Sequence, residues 1–233
     1  MNLFLTSNIG GIKKENGIKI PTKYSEENQF LLNLKQSLKN NNKFVLIASN
    51  PEDTEKNDSY LKLEIEAFNL SGISFKEYLI LDNRTKQNIS QILKDSSLIF
   101  LSGGDTYIQN KFFNEINLKE YLKDLDCVVV GISAGSINSA KDVFNSPEEE
   151  QDLIKPMYFK GLGLTDINIE PHFDIKGENK LQRKYIIEES FNRTLYGLPD
   201  GSYIKDNVIY GECYKIENGK IELICNNNES VSL

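Results

Sequence analysis

Nine residues constrain this chain more than any others. Gly131-Ile132-Ser133-Ala134-Gly135 follows the apolar run Cys127-Val128-Val129-Val130 and precedes a helical pattern. A strand that turns sharply into a helix, with Ser at the apex and Gly on both flanks, is a nucleophile elbow. The turn is strained, and a Cβ at either flank would run into the strand or the helix. The bend lifts the Ser oxygen clear of the sheet. It also aims the first N–H groups of the helix at any negative charge that forms beside it. The chain has one histidine, His172, so an imidazole that activates Ser133 can only be that one.

The segments before the elbow alternate. Strand patterns fall at 3–6, 44–48, 75–81, 98–101 and 127–132. Helical spacing of apolar residues falls at 24–39, 60–70, 86–93, 106–116 and 118–122, with a polar loop reaching 58. Strands apolar at nearly every position, separated by helices, predict a parallel sheet covered on both faces. Beyond the elbow, 142–157 is acidic and reads as irregular. Short strands follow at 167–170 and 194–198, with a helix at 181–191 between them. Further β pieces fall at 202–205, 208–210, 212–217 and 220–224, with turn residues Asp206-Asn207 and Asn218-Gly219. No repeat or linker interrupts the chain, so one domain over 1–233 is expected.

Composition narrows the function classes. The 233 residues are 39% hydrophobic and carry a net charge of −7. There is no basic footprint for nucleic acid or an anionic membrane. No apolar run reaches transmembrane length, and residues 1–8 read as a first strand rather than a signal peptide. Three cysteines without C-x-x-C spacing argue against a disulfide framework or a zinc site, and a reducing cytoplasm fits.

A serine hydroxyl needs a base, and the base needs a group to orient it. Ser133 and His172 fill the first two places. Asp200, after a strand and before Gly201, suits the third, although Asp200-Gly201 alone reads as a turn. Asp174 and Glu170 are lesser candidates. The loop Ser102-Gly103-Gly104-Asp105 should lie beside the elbow, because open α/β sheets gather ligands at the carboxyl ends of their strands. The N–H groups of Gly104 and Ala134 are then candidate oxyanion donors. Asp105 could instead cap the following helix.

Several segments together resemble the dipeptidase E (α-aspartyl dipeptidase) and cyanophycinase family of serine peptidases. They are Leu5-Thr6-Ser7-Asn8, Ser102-Gly103-Gly104-Asp105-Thr106-Tyr107, Gly131 to Ser136, and Pro171-His172-Phe173. Further on come Gly177-Glu178-Asn179-Lys180-Leu181-Gln182-Arg183 and Gly197-Leu198-Pro199-Asp200-Gly201-Ser202. The resemblance implies a three-layer α/β fold like that of class I glutamine amidotransferases (flavodoxin-like). It implies Ser133 as nucleophile, His172 as general base and Asp200 as the carboxylate, where dipeptidase E has Glu. It implies acyl transfer to serine on a dipeptide or short peptide, with no metal or organic cofactor.

Two departures bear on specificity. Asp105 stands where the aspartyl dipeptidase pattern has Asn, and Asn179-Lys180 where it has Thr-Arg. With Asp105 and Lys180 at the substrate, and Arg183 nearby, an acidic substrate side chain would be repelled by about 1 to 4 kcal/mol, and the bidentate fork of Arg would be lost. Strict specificity for N-terminal Asp is therefore expected to be weakened or absent. A cyanophycinase-like or isopeptide hydrolase and a non-catalytic small-ligand binder are the competing readings. The C-terminal β pieces suit either a homodimer edge or a cover for the sheet.

Overall fold

The computed structural model describes all residues, Met1–Leu233. Sixteen strands and seven α-helices follow in chain order. First come β1 (Asn2–Thr6), β2 (Gly10–Glu15), β3 (Ile18–Tyr24), α1 (Phe30–Ser37), β4 (Lys43–Ile47), α2 (Thr54–Leu70), β5 (Glu77–Leu81) and α3 (Ile89–Leu93). Then come β6 (Leu98–Leu101), α4 (Thr106–Glu115), α5 (Leu118–Leu122), β7 (Val128–Ile132), α6 (Ala134–Ser139), β8 (Asp142–Phe144) and β9 (Tyr158–Lys160). The chain ends with β10 (Asn168–Pro171), α7 (Lys180–Glu189), β11 (Leu195–Leu198), β12 (Tyr203–Lys205), β13 (Val208–Tyr210), β14 (Cys213–Glu217), β15 (Lys220–Cys225) and β16 (Ser230–Ser232).

The central sheet has eight strands in the order β16-β13-β12-β1-β7-β6-β4-β5. The five from β1 to β5 run parallel, and β12, β13 and β16 extend the sheet antiparallel. Side chains alternate along a strand, so a strand apolar throughout feeds two cores. Leu3, Leu5, Val45, Ile47, Ile99, Leu101 and Val129 face one core, which α3, α4 and α5 close with Ile92, Phe112, Phe113 and Leu118. Phe4, Phe44, Leu46, Phe100, Val128 and Val130 face the other, which α1 and α2 close with Phe30, Leu34 and Phe68. The α/β/α layering expected from sequence is present.

A second sheet, β10-β11-β14-β15, stands apart from the first. Here β10 and β11 are parallel and the rest antiparallel. Its small core of Phe144, Phe173, Ile186, Leu195, Tyr214 and Ile216 includes a contribution from α7.

Several sequence expectations need correction. The helix expected over 24–39 begins at Phe30, because Tyr24 is the last residue of β3 in a hairpin with β2. The hairpin turns at Asn16 and Gly17, both at positive φ, as a two-residue hairpin turn requires. The loop expected through 58 is already helix from Thr54, where Asp53 accepts from the Lys56 N–H as N-cap. Residues 142–157 are not wholly irregular, since β8 pairs with β9 across them. Finally, β16 adds a strand that the sequence reading left out.

Candidate active site

The elbow is built as its residues dictate. Ser133, between β7 and α6, has φ 49° and ψ −107°, outside the main allowed regions for an L-residue. Both flanking glycines are sterically required. A Cβ on Gly131 would lie 2.6 Å from the Cα of Ser136, and one on Gly135 would collide with the carbonyl oxygen of Leu101 on β6. Ser136, almost fully buried, fastens the turn to β1. Its hydroxyl meets the Gly131 carbonyl at 2.6 Å and accepts from the Thr6 N–H at 2.7 Å. The Ser133 N–H donates to the Thr6 carbonyl at 2.9 Å.

His172 and Asp200 arrive from the second sheet, one residue beyond β10 and two residues beyond β11. His172 Nδ1 lies 2.6 Å from Asp200 Oδ1, and Nε2 lies 3.1 Å from Ser133 Oγ. A carboxylate only accepts, so Nδ1 carries the proton. In the neutral ring Nε2 is then left as acceptor toward the serine hydroxyl. The hydrogen bond to Asp200 raises the His172 pKa above its ordinary 6.5, against burial, which lowers it. For Asp200 burial is the largest influence and acts upward. Bonds from His172 and Asn8 together outweigh it and hold the carboxyl below its usual value.

Two residues of the first motif secure this arm to the main sheet. The buried hydroxyl of Ser7 donates to the Leu198 carbonyl at 2.6 Å and accepts from the His172 N–H at 3.1 Å. Asn8 reaches Asp200 Oδ2 with its amide at 3.4 Å and accepts from the Gly201 N–H at 2.9 Å through its carbonyl. Sequence reasoning noted Leu5-Thr6-Ser7-Asn8 as a motif without giving it this work.

A cavity of about 560 Å³ opens at the carboxyl ends of the parallel strands. Ser133, His172, Ser7, Asn8, Gly103 and Gly104 line one wall, and the β2–β3 hairpin and α2 form the other. No backbone carbonyl accepts from the N–H of Gly104 or of Ala134, so both remain available as donors.

The other expected substrate residues lie elsewhere. Asp105 does not line the cavity. It is the N-cap of α4, accepting from Tyr107 and Ile108, and it pairs with Lys155 Nζ at 2.9 Å. Burial acts first and upward on its carboxyl, but the helix N–H groups and Lys155 leave it below its ordinary value. The capping alternative is the observed one, because an Asp before a helix finds its partners within its own turn. Lys180, the first residue of α7, is exposed and outside the cavity. Arg183 stacks its guanidinium on Phe173, 4.9 Å from the ring centroid, and donates to the Asp174 and Ile175 carbonyls. It braces the loop after His172. Asp174 bonds its own loop at the Lys176 N–H. Glu170 is buried beneath the loop with Ser146 as donor, and burial pushes its carboxyl up to about 8. No three His, Cys, Asp or Glu side chains are grouped to hold a metal ion, and no helix is long and apolar enough to cross a membrane.

A parallel α/β sheet with serine at the strained turn after a central strand defines a class of serine-centred sites at a sheet edge. The model of peptidase family S51 matches residues 20–208, and the chain belongs to that family. A probable alpha-aspartyl dipeptidase of Drosophila melanogaster is 24% identical over 132 residues, which are 52% of this chain and 54% of that protein. The chain thus matches about half the length of that curated relative. Among solved structures, a peptidase from an acI-B1 Actinobacterium superposes with a TM-score of 0.70 at 15% identity, over 100% of this chain and 96% of the other. A Listeria monocytogenes EGD-e protein assigned to peptidase E gives 0.57 at 15% identity, over 96% and 97% of the two chains. At such identity the likeness is one of fold.

Proposed function

We propose that this protein is a serine peptidase acting on dipeptides or other short peptides through Ser133, His172 and Asp200. The observation that carries the reading is the imidazole of the one histidine, set between Ser133 Oγ at 3.1 Å and Asp200 Oδ1 at 2.6 Å. In this mechanism His172 Nε2 takes the Ser133 proton as Oγ attacks the scissile carbonyl. The new oxyanion faces the N–H groups of Gly104 and Ala134. His172 returns the proton to the leaving amine, and water, deprotonated by the same ring, releases the acyl group from Ser133. Asp200 keeps the ring in its Nδ1–H tautomer and stabilises the imidazolium.

The substrate reading is a peptidase without strict preference for N-terminal Asp. Lys180 and Arg183 do not line the cavity, so neither is placed as a receptor for an aspartyl side chain. The test is hydrolysis of a panel containing Asp-Leu, Ala-Leu and Lys-Leu by wild type and Ser133→Ala, beside labelling by a fluorophosphonate. Turnover and labelling should both vanish in the variant, with a rate loss of about 10⁴-fold or more. Labelling that persists in Ser133→Ala would overturn the assignment, and Asp-Leu cleaved far faster than the others would overturn the specificity.

A further inference from the structure

Glu64 is a buried acid that the reaction above does not use, and it lies in the same cavity. It is 6% exposed. Lys56, Asn57, Tyr60 and Glu64 follow one another along α2 at helical spacing, and all four line the cavity. Glu64 Oε2 accepts the hydroxyl of Tyr24, the last residue of β3. Oε1 accepts no hydrogen bond, yet it is not sealed in. The buried side-chain atoms without partners belong to Glu170, Glu189 and Ser202, so Oε1 opens onto the cavity. No cation offsets the charge. Burial pushes the carboxyl up to about 7, and the Tyr24 hydroxyl alone pulls it back.

The position of this carboxylate along the cavity wall follows from the helix. Asn57 donates to the Asn50 carbonyl, three residues beyond the end of β4. Glu64 is seven residues further along α2, about 10 Å along the helix axis at 1.5 Å per residue. That length is two to three extended residues.

We propose that Glu64 is a specificity-determining residue of this cavity, receiving the ammonium or guanidinium group of a short peptide. The inference rests on the peptidase reading of Ser133. A desolvated carboxylate with one open oxygen is a poor resting state, and an organic cation is the partner that relieves it. Lys14, Lys19 and Lys56 stand exposed among the cavity-lining residues, and none has a carboxylate within salt-bridge distance. Their charge is screened by solvent over about 8 Å at physiological salt, and it suits the carboxylate end of the same zwitterionic peptide.

The experiment compares kcat/KM for Lys-Leu, Arg-Leu and norleucine-Leu, each with a free and an acetylated amine, in wild type and Glu64→Gln. Wild type should favour a cationic form at least tenfold, and Glu64→Gln should shrink that preference to within twofold, through KM. Loss of the Lys-over-norleucine ratio identifies a side-chain cation, and loss of the free-over-acetyl ratio identifies the α-ammonium. Both ratios unchanged in Glu64→Gln, or both absent in wild type, would overturn the proposal. Labelling of Ser133 by a neutral fluorophosphonate reports separately on fold and nucleophile. Loss of labelling in wild type sinks the peptidase reading, whereas intact labelling with no cation preference sinks only this one.

Tyr24→Phe is the second variant. It keeps the ring and removes the donor that favours the ionised carboxylate, so the cation preference should move to higher pH. The titratable groups around Glu64 are Tyr24 and Tyr60, with Lys13, Lys14, Lys19, Lys56 and His172 lining the same cavity. The profile on norleucine-Leu subtracts the contribution of His172. An unmoved profile in Tyr24→Phe counts against the proposal even where Glu64→Gln fails to fold.

Discussion

Ser133 and the two side chains that approach it are held in opposite ways. Ser133 is fixed by sterics inside the central sheet. Its turn leaves no room for a Cβ at Gly131 or Gly135, and the buried Ser136 binds it to β1. His172 and Asp200 sit on loops of the second sheet, both about half exposed. They are secured by a few hydrogen bonds: the His172 N–H donates to Ser7, Asn8 donates to Asp200, and Arg183 donates to the Asp174 carbonyl of the same loop. Rigidity is thus concentrated where, on the proposed mechanism, backbone donors and nucleophile share one geometry. The polar arm is placed by bonds that can each be removed singly. The contrast predicts that damage to the elbow lowers stability and activity together, whereas damage to the arm lowers activity alone.

The largest effect is expected at Gly135→Ala. The added methyl meets backbone, the Leu101 carbonyl oxygen, which cannot rotate aside. Overpacking of this kind costs about 1–3 kcal/mol or more, and a chain this size loses about 2–4 °C of melting temperature per kcal/mol. Fluorophosphonate labelling should be lost as well. A variant that melts like wild type and is labelled at the wild-type rate would break the comparison at its rigid end.

Asp200→Asn tests the arm. Asn can present its amide to Nδ1 and select the wrong tautomer, so kcat/KM should fall about 10³–10⁴-fold while the melting temperature stays near wild type. The pH profile sharpens the point. On the proposed mechanism His172 must be neutral to accept the Ser133 proton, and Asp200 raises its pKa. The acid limb of kcat/KM in wild type therefore lies above the ordinary 6.5. Removing the carboxylate removes the main raising influence, so the residual activity should show its limb at lower pH. A limb that stays put would detach Asp200 from His172.

The same contrast explains what could be read from the sequence. The central sheet and the elbow were legible because their signals are local. Apolar strands, a Gly pair around a serine and alternating helices each declare themselves within a few residues. Ser133, His172 and Asp200 were reachable through motif order. The β2–β3 hairpin was not, although Asn16-Gly17 is a hairpin turn signal. Its strands are mostly polar and exposed, because the hairpin serves as one wall of a cavity rather than as core. Glu64 was hidden for the same reason. On α2 alone it reads as a solvated position, and only the covering hairpin with Tyr24 makes it a buried one. The positions of Asp105, at the cap of α4, and of Lys180, outside the cavity, were not legible, because resemblance gives a residue's place in a motif without its local hydrogen bonds.

Asp105→Asn should have the smallest effect and is the most direct test of that last point. Asn caps a helix about as well as Asp, so the bonds to Tyr107 and Ile108 survive. What is lost is the pairing with Lys155, a partly exposed ion pair worth about 0–1 kcal/mol. The melting temperature should therefore move by only a few degrees. Because Asp105 faces Lys155 and its own helix rather than the cavity, the ratio of Asp-Leu to Ala-Leu cleavage should change by less than about twofold, far short of the factor expected from a charge a few Å from the substrate. A tenfold rise in Asp-Leu cleavage would return Asp105 to the substrate. It would mean that the Lys155 pairing opens when peptide binds, and that a side chain beside the elbow, on the central sheet, contributes to specificity.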